Sequence, residues 1–415
     1  MHQLVRARRS TPHLLLAAGV GVLVMALLAG VLGWQGLVQR ADALERARAE
    51  TAQQVKIQTA RTTLVIADTN AGNDVLTGAD PTQFRYKQFE FKAQPALLGL
   101  VVAARVDADA ATLATANRFL TSYAMQVQSA RTLARNGQDK EATATLSAAS
   151  ALLHAEVLPR LADVQNASQE RLEDDQAAAD LAPIIALLVG IAAVLVIAGV
   201  HLWLTRRTRR LLNLGLVGCV LVLIVATGAG AIVVAGSRDK VVDAEENALE
   251  VVDFLVEARF SAFDARSGEA LAVLNGGTAE NEQKWSEQME QADWYLQRAG
   301  QGQSSAVRAD VAVITEKLAA YRERHQELLA QAQAGNTRAV QNIAANPAPE
   351  GSVGSFEEFD TYSGALLARQ VQAADDAWES AGSNLRLVGW LTLVIGVLAA
   401  VLAWAGIAAR RREYR

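Results

Sequence analysis

Residues 181–204, LAPIIALLVGIAAVLVIAGVHLWL, and 211–236, LLNLGLVGCVLVLIVATGAGAIVVAG, are separated by six residues, TRRTRR at 205–210. A helix needs about 20 apolar residues to cross the hydrocarbon core of a bilayer. Each run is that long and contains no Asp, Glu, Lys or Arg. A six-residue link permits only a tight turn, so the pair reads as a membrane hairpin. Short cytoplasmic loops carry the excess of Lys and Arg, which places Arg206, Arg207, Arg209 and Arg210 inside and both long flanking segments outside.

Two further apolar runs, 14–38 and 387–409, raise the expected crossings to four. Arg6, Arg8 and Arg9 precede the first, as in a secretory signal, but a cleaved apolar region is about 7–15 residues long. The run is therefore read as an uncleaved anchor. The expected order is a cytoplasmic N-terminus 1–13, crossing 14–38, outer segment 39–180, crossing 181–204, cytoplasmic loop 205–210, crossing 211–236, outer segment 237–385, crossing 386–409 and cytoplasmic C-terminus 410–415. The three short polar pieces hold eleven arginines against one acid, Glu413, while segment 39–180 holds 15 basic and 18 acidic residues and 237–385 holds 12 and 25. That split places both termini in the cytoplasm of a multi-pass plasma-membrane protein, with the lipid bilayer as its first partner.

The acidic outer segments give no electrostatic footprint for nucleic acid. Cys219 is the sole cysteine and lies within a crossing, so neither an intrachain disulfide nor a cysteine metal site is expected. Five histidines (His2, His13, His154, His201, His325) are scattered singly. No HExxH, GxSxG or phosphate-cradling loop is present. No catalytic residue, cofactor or metal ligand is assigned, and the chain reads as a non-enzyme. Ionisable residues inside the membrane usually mark transport pathways; His201 alone lies in a crossing.

Ala-rich sequence favours helix, and glycines and prolines punctuate it. In the first outer segment the expected helices are 39–76, 82–104, 106–136 and one from 139 into the crossing, bent at Pro159, with Pro183 tolerated near the crossing's first turn. In the second they are 237–275, 280–299, 304–334 and one from 337, interrupted at 346–351 and resuming near 355 into the last crossing. A shift of 198 aligns the halves: Arg61 falls on Arg259, Leu120 on Leu318, Tyr123 on Tyr321 and Gly137 on Gly335, with the register expected to move after the Pro-rich piece. The fold class is an all-α membrane protein with four transmembrane helices and two tandem extracytoplasmic elongated four-helix bundles, an internal duplication. Within the crossings Ala26 and Gly30, Gly215 and Cys219, and Ala226 and Gly230 are four apart, a spacing that lets helices approach closely; ordinary Ala/Gly content is the bland explanation.

Arg259, Asp264, Arg266 and Glu269, with Arg61 and Asp68 in the first unit, are candidate ligand contacts, because guanidinium and carboxylate together match a zwitterionic amino acid. Ordinary salt bridges on a solvated face are the alternative. Trp285, Trp294, Phe356 and Phe359 read as core of the second bundle; alternatively Phe356, Phe359 and Asp360 form an aromatic and acidic anchor for a partner protein. Arg206, Arg207, Arg209 and Arg210 are the candidate cytoplasmic output surface.

A helical bundle between two crossings is similar to bacterial chemoreceptor sensor domains. More closely, the stretches 258–260, 264–271, 354–356 and 359–360, with the four-crossing layout, resemble the actinobacterial membrane protein family often called GlnX. The resemblance implies a transducer working with an extracellular amino-acid-binding lipoprotein, a solute-binding protein that docks outside, and with the cytosolic serine/threonine protein kinase G. It carries over no catalytic residue. The expected function is a sensory signal transducer that passes a helix shift to a cytoplasmic kinase; a non-enzymatic envelope scaffold is the alternative. Stoichiometry is left open, a homo-oligomer included.

Overall fold

The computed structural model describes residues 11–76, 79, 87, 89, 106–208, 213–274 and 279–412. The expected helix 82–104, Arg209, Arg210 and the turn glycines near 78 and 276 lie outside the described residues or nearly so. Among the described residues the protein is all helix: α1 Thr11–Leu76, α2 Asp107–Arg135, α3 Asp139–Leu152, a π-helical turn Leu153–Val157, α4 Leu158–Thr208, α5 Leu214–Ala244, a second π turn Glu245–Leu249, α6 Glu250–Leu274, α7 Ala279–Gly300, α8 Ser305–Gln333, α9 Thr337–Ala345, α10 Ser352–Gly382 and α11 Leu385–Arg412. Four helical stretches, Leu16–Leu76, Asp139–Arg206, Leu214–Glu269 and Ser352–Ala409, are long and apolar enough to cross a membrane.

The chain forms two compact units: residues 1–48, 172–243 and 376–415 in one, and 49–171 and 244–375 in the other. In the first, the four crossing-length segments make a ring of close contacts at small residues. A Cβ added to Gly30 of α1 would lie 2.8 Å from the Gly396 Cα of α11, and one on Gly36 of α1 would lie 2.8 Å from the Ala186 Cβ of α4. Gly190 of α4 meets Thr227 of α5 at 2.7 Å on the same measure, and Gly215 of α5 meets the Gly406 Cα of α11 at 2.6 Å. Two of the expected pairs contribute directly, Gly30 and Gly215, while Gly230 has nothing within 4 Å. Large aliphatic side chains such as Leu188, Leu195 and Val394 face outward, each more than 60% exposed, as on a lipid-facing surface. Arg40 is buried among α1, α4 and α5, donating to Asp180 Oδ1 at 2.7 Å and to Ser237 Oγ at 3.3 Å. Asn213 caps α5 through the Leu216 N–H and donates to the Gly406 carbonyl of α11 at 3.0 Å.

In the second unit both outer segments, expected as two bundles, contribute to one hydrophobic core that runs from Ile57 through Leu120, Tyr123 and Leu161 to Leu255, Phe263, Leu318, Tyr321 and Phe359. The repeat is visible at equal detail. Gly137 and Gly335 both have φ +73°. After each, the chain closes the helix end in the same way: Gln138 N–H donates to the Leu133 carbonyl and Gly137 N–H to Ala134, while Asn336 donates to Gln331 and Gly335 to Ala332. This is the glycine-dependent helix stop in which the left-handed residue lets two amides reach back to orphan carbonyls.

Three expectations change. The Pro-rich piece does not move the register: Arg61 bonds Gln165 and Arg259 bonds Ser363, each 104 residues on. In that register the break at 346–351 corresponds to 148–153, just ahead of the π turn 153–157, so each half interrupts its fourth helix in the same region but not at the same residues. Leu158 N–H bonds the Leu153 carbonyl there, a wide turn ending just before Pro159, which has no N–H to give and crowds the carbonyl four residues back. Pro183 sits deep inside α4 rather than in its first turn. The last connection is not continuous, because a two-residue turn at 383–384 separates α10 from α11.

Gly335→Ala places a Cβ at a left-handed position and should cost about 1–2 kcal/mol, read as a lower unfolding midpoint of the full chain; Gly268→Ala, on an open face inside a helix, should raise it, by about 0.5–1 kcal/mol. Gly396→Val drives a branched side chain into the Gly30 backbone and should lower the thermal midpoint in lipid nanodiscs, whereas Gly228→Val, which meets nothing within 4 Å, should not.

Candidate functional site

A buried carboxylate must find partners or become neutral. Asp68 on α1 is 3% exposed and collects donors from several helices. Tyr123 of α2 gives its hydroxyl to Oδ1 at 3.0 Å; Ser150 of α3 and Ser267 of α6 give theirs to Oδ2 at 2.7 and 2.6 Å. His154, in the π turn, stands with Nε2 3.8 Å from Asp68 Oδ2 and Nδ1 3.4 Å from Asp264 Oδ1 on α6. Burial alone would raise the Asp68 pKa, but His154, Ser267 and Ser150 outweigh it and hold the carboxyl below its ordinary value. Burial likewise disfavours the His154 imidazolium, yet the two carboxylates win and raise its pKa. Asp264 is raised, first by burial, with His154 opposing and Asp68 adding.

The second half builds a companion network on Glu269 of α6. Tyr321, at the position equivalent to Tyr123, donates to Oε2 at 3.1 Å; Ser352 donates to Oε1 at 2.7 Å; Arg266 pairs with Oε1. His325 Nδ1 lies 2.6 Å from Oε2, and its Nε2 lies 3.1 Å from Glu282. Trp285 of α7 stacks on the His325 ring with centroids 3.7 Å apart and donates to the Tyr321 hydroxyl at 3.3 Å. Burial opposes the charge on Glu269, but Arg266, His325 and Ser352 lower its pKa.

Between these networks opens a cleft of ≈ 350 Å³. Its walls come from Ser147, Ser150 and Ala151 of α3, His154, Asp264, Ala265, Ser267 and Gly268 of α6, and Asn281, Lys284, Trp285 and Gln288 of α7. The spacing explains the grouping: 264, 267 and 268, and 281, 284, 285 and 288, each share one helix face.

The sequence candidates divide sharply. Asp264 faces the cleft. Arg266, Glu269 and Asp68 are buried in the networks just described. Arg259 is held by the Asp360 carboxylate at 2.5 Å, its carbonyl at 2.8 Å and Ser363. Arg61 donates to Gln165 at 3.0 Å and Glu257 at 3.2 Å and lies over the Phe260 ring. A zwitterion therefore finds no free guanidinium among these arginines: the pairs are internal, and they are buried rather than on a solvated face. Phe356 and Phe359 are core residues, Phe356 packed edge-on against Phe263 and Tyr321, out of reach of a docking partner; Asp360 is half-buried against Arg259. Trp285 is buried as expected, but Trp294 is 52% exposed. Arg206 is exposed at the end of α4, and Arg207 lies in the same helix. Sequence reasoning passed over His154, Ser150, Ser267 and Lys284. The matched Tyr123 and Tyr321 were the available signal, since a buried tyrosine hydroxyl calls for a partner.

Residues 24–177 match the model of a family described as the actinobacterial sensor domain. Neither the curated proteins nor the solved structures yield a match. The matched stretch begins inside the first apolar run and ends before the second, covering most of the first outer segment, including Asp68, Tyr123, Ser150 and His154. It supports an actinobacterial sensor family and points to a sensory rather than catalytic protein, in keeping with four helices fit to cross a membrane.

The linkage has a definite sign. The Asp68 contribution is present above the ordinary value of 3.8 and is lost as pH falls through the lower folded-state value. The His154 contribution is full below 6.5 and is lost as pH rises through its raised folded-state value. His154→Gln should therefore flatten the decline of thermal midpoint above pH 6.5; an unchanged slope would remove His154 from this account. Tyr123→Phe strips a donor from a buried carboxylate and should cost about 1–3 kcal/mol, measured by denaturant unfolding of the full chain.

Proposed function

We propose that this protein is a transmembrane sensory transducer in the plasma membrane, with both termini in the cytoplasm. It reads an amino acid, or an amino-acid-loaded solute-binding protein, with its outer unit and passes a helix shift to a cytoplasmic serine/threonine kinase. The observation that carries this reading is the make-up of the cleft. Its walls belong to both repeats, α3 and the π turn from the first and α6 and α7 from the second. An occupant that touches both favours one packing of the repeats over another, and differential affinity is the only means by which a ligand shifts such a balance.

The chain offers a physical route for the output. α1 carries Asp68, α4 follows directly on the π turn that holds His154, and each runs without a break into apolar, crossing-length sequence; α5 leads through a π turn into α6, which lines the cleft. Small displacements of such helices are an established form of signalling movement. Arg206, Arg207, Arg209 and Arg210 form the cytoplasmic surface the kinase would read.

Arg206→Gln combined with Arg207→Gln leaves two arginines to hold the loop inside. In cells, this variant should lose the amino-acid-dependent change in serine/threonine phosphorylation while reaching the membrane at the normal level. A phosphorylation response equal to that of the unaltered protein would refute the output surface. A C-terminal reporter active only outside the cell should stay silent.

A further inference from the structure

We propose that the cleft is itself a ligand site, and that it takes a small solute bearing a primary ammonium group, received by the Asp264 carboxylate. This rests on the sensory reading and narrows it: the solute is bound directly by this chain.

Charge sets the ligand's sign. Asp264 and His154 line the cleft, and the Asp68 carboxylate lies buried behind them, with the imidazole between the two acids. Asp68 is satisfied by three hydroxyls, whereas Asp264 has His154 at 3.4 Å and a side chain still 22% exposed toward the opening. With His154 charged, the wall is one positive charge short. Lys284 also lines the cleft, but it and its partner Glu280 at 2.8 Å are both more than two-thirds exposed, so water screens its charge from the inner wall. Burial and the Asp68 charge both make an unpaired Asp264 carboxylate unfavourable, so a cation that pairs with it is rewarded.

The lining sets the ligand's kind. Calcium takes six to eight oxygen ligands, and a single carboxylate opens here. A quaternary ammonium is recognised by a cage of aromatic faces, and Trp285 is the aromatic residue of this lining. A primary ammonium instead brings three donors, which suits Asp264 together with the Ser147 hydroxyl. The remaining surface, Asn281 and Gln288, offers polar groups for the rest of a small molecule. At ≈ 350 Å³ the cleft falls at the small end of ligand sites. Space is kept by Gly268, where an added Cβ would meet nothing within 4 Å.

The test uses the full chain in lipid nanodiscs and measures thermal shift and calorimetric binding. The probes are the twenty common amino acids, ethanolamine, the N-acetyl derivative of each amino acid that binds, tetramethylammonium and calcium. At least one free amino acid or ethanolamine should bind, its N-acetyl derivative should not, and Asp264→Asn should weaken it at least about tenfold. Gly268→Leu, whose side chain enters open space, should abolish binding without lowering the unliganded midpoint. The proposal is overturned if no amine binds at millimolar concentration, if the acetylated probe, tetramethylammonium or calcium binds as well as the amine, or if both variants bind normally. Loss of this binding with a surviving phosphorylation response would sink the direct site and spare the transducer; the reverse would spare the site alone.

Discussion

The outer unit depends on one buried carboxylate. Asp68 cannot be left bare in a hydrophobic core, and its hydroxyl donors arrive from α2, α3 and α6. Each donor is a weak bond by itself, but hydrogen bonds to a charged group are worth about twice neutral ones. Together they oblige the helices of one repeat to stand against those of the other. Glu269 gathers the helices of the second half among themselves, with Tyr321, Ser352, Arg266 and His325 as partners. Two tyrosines 198 residues apart thus each anchor an acid, and the cleft lies where the two networks meet. A polar network of this kind specifies a single packing, since any other leaves a charge unpaired.

The crossing-length unit obeys the opposite rule. It has almost no polar side chain to specify packing, so geometry does the selecting. Glycines at 30, 36, 190, 215, 396 and 406 allow backbones to touch where a Cβ would collide, which is how helices gain van der Waals contact where burial against lipid gains nothing. Arg40 with Asp180, and Asn213 with the Gly406 carbonyl, are polar ties near the ends of these segments.

The cleft explains why chemistry is assigned to Asp264 and withheld from its neighbours. Arg259, Arg266 and Arg61 carry the charges that a sequence scan notices first, and each is already paired inside the protein. Asp264 differs by position alone: it sits one turn from the open Gly268 and across from a histidine that the π turn brings to the wall.

Crossing number, helical class, punctuation and the duplication were set by the sequence on its own, because these follow from local composition and spacing: an apolar run of fixed length, a glycine that ends a helix at φ +73°, a tyrosine recurring 198 residues on. Which charges face a ligand and which face each other was decided only by the tertiary structure. Asp68 meets Ser150 across 82 residues and Ser267 across 199, and no local pattern encodes such a meeting. The merging of two outer segments around one core, and the exposure of Asp264 to the cleft with His154 as its neighbour, follow from that long-range packing: burial turns the other candidate charges onto one another, and Asp264 is left facing the opening.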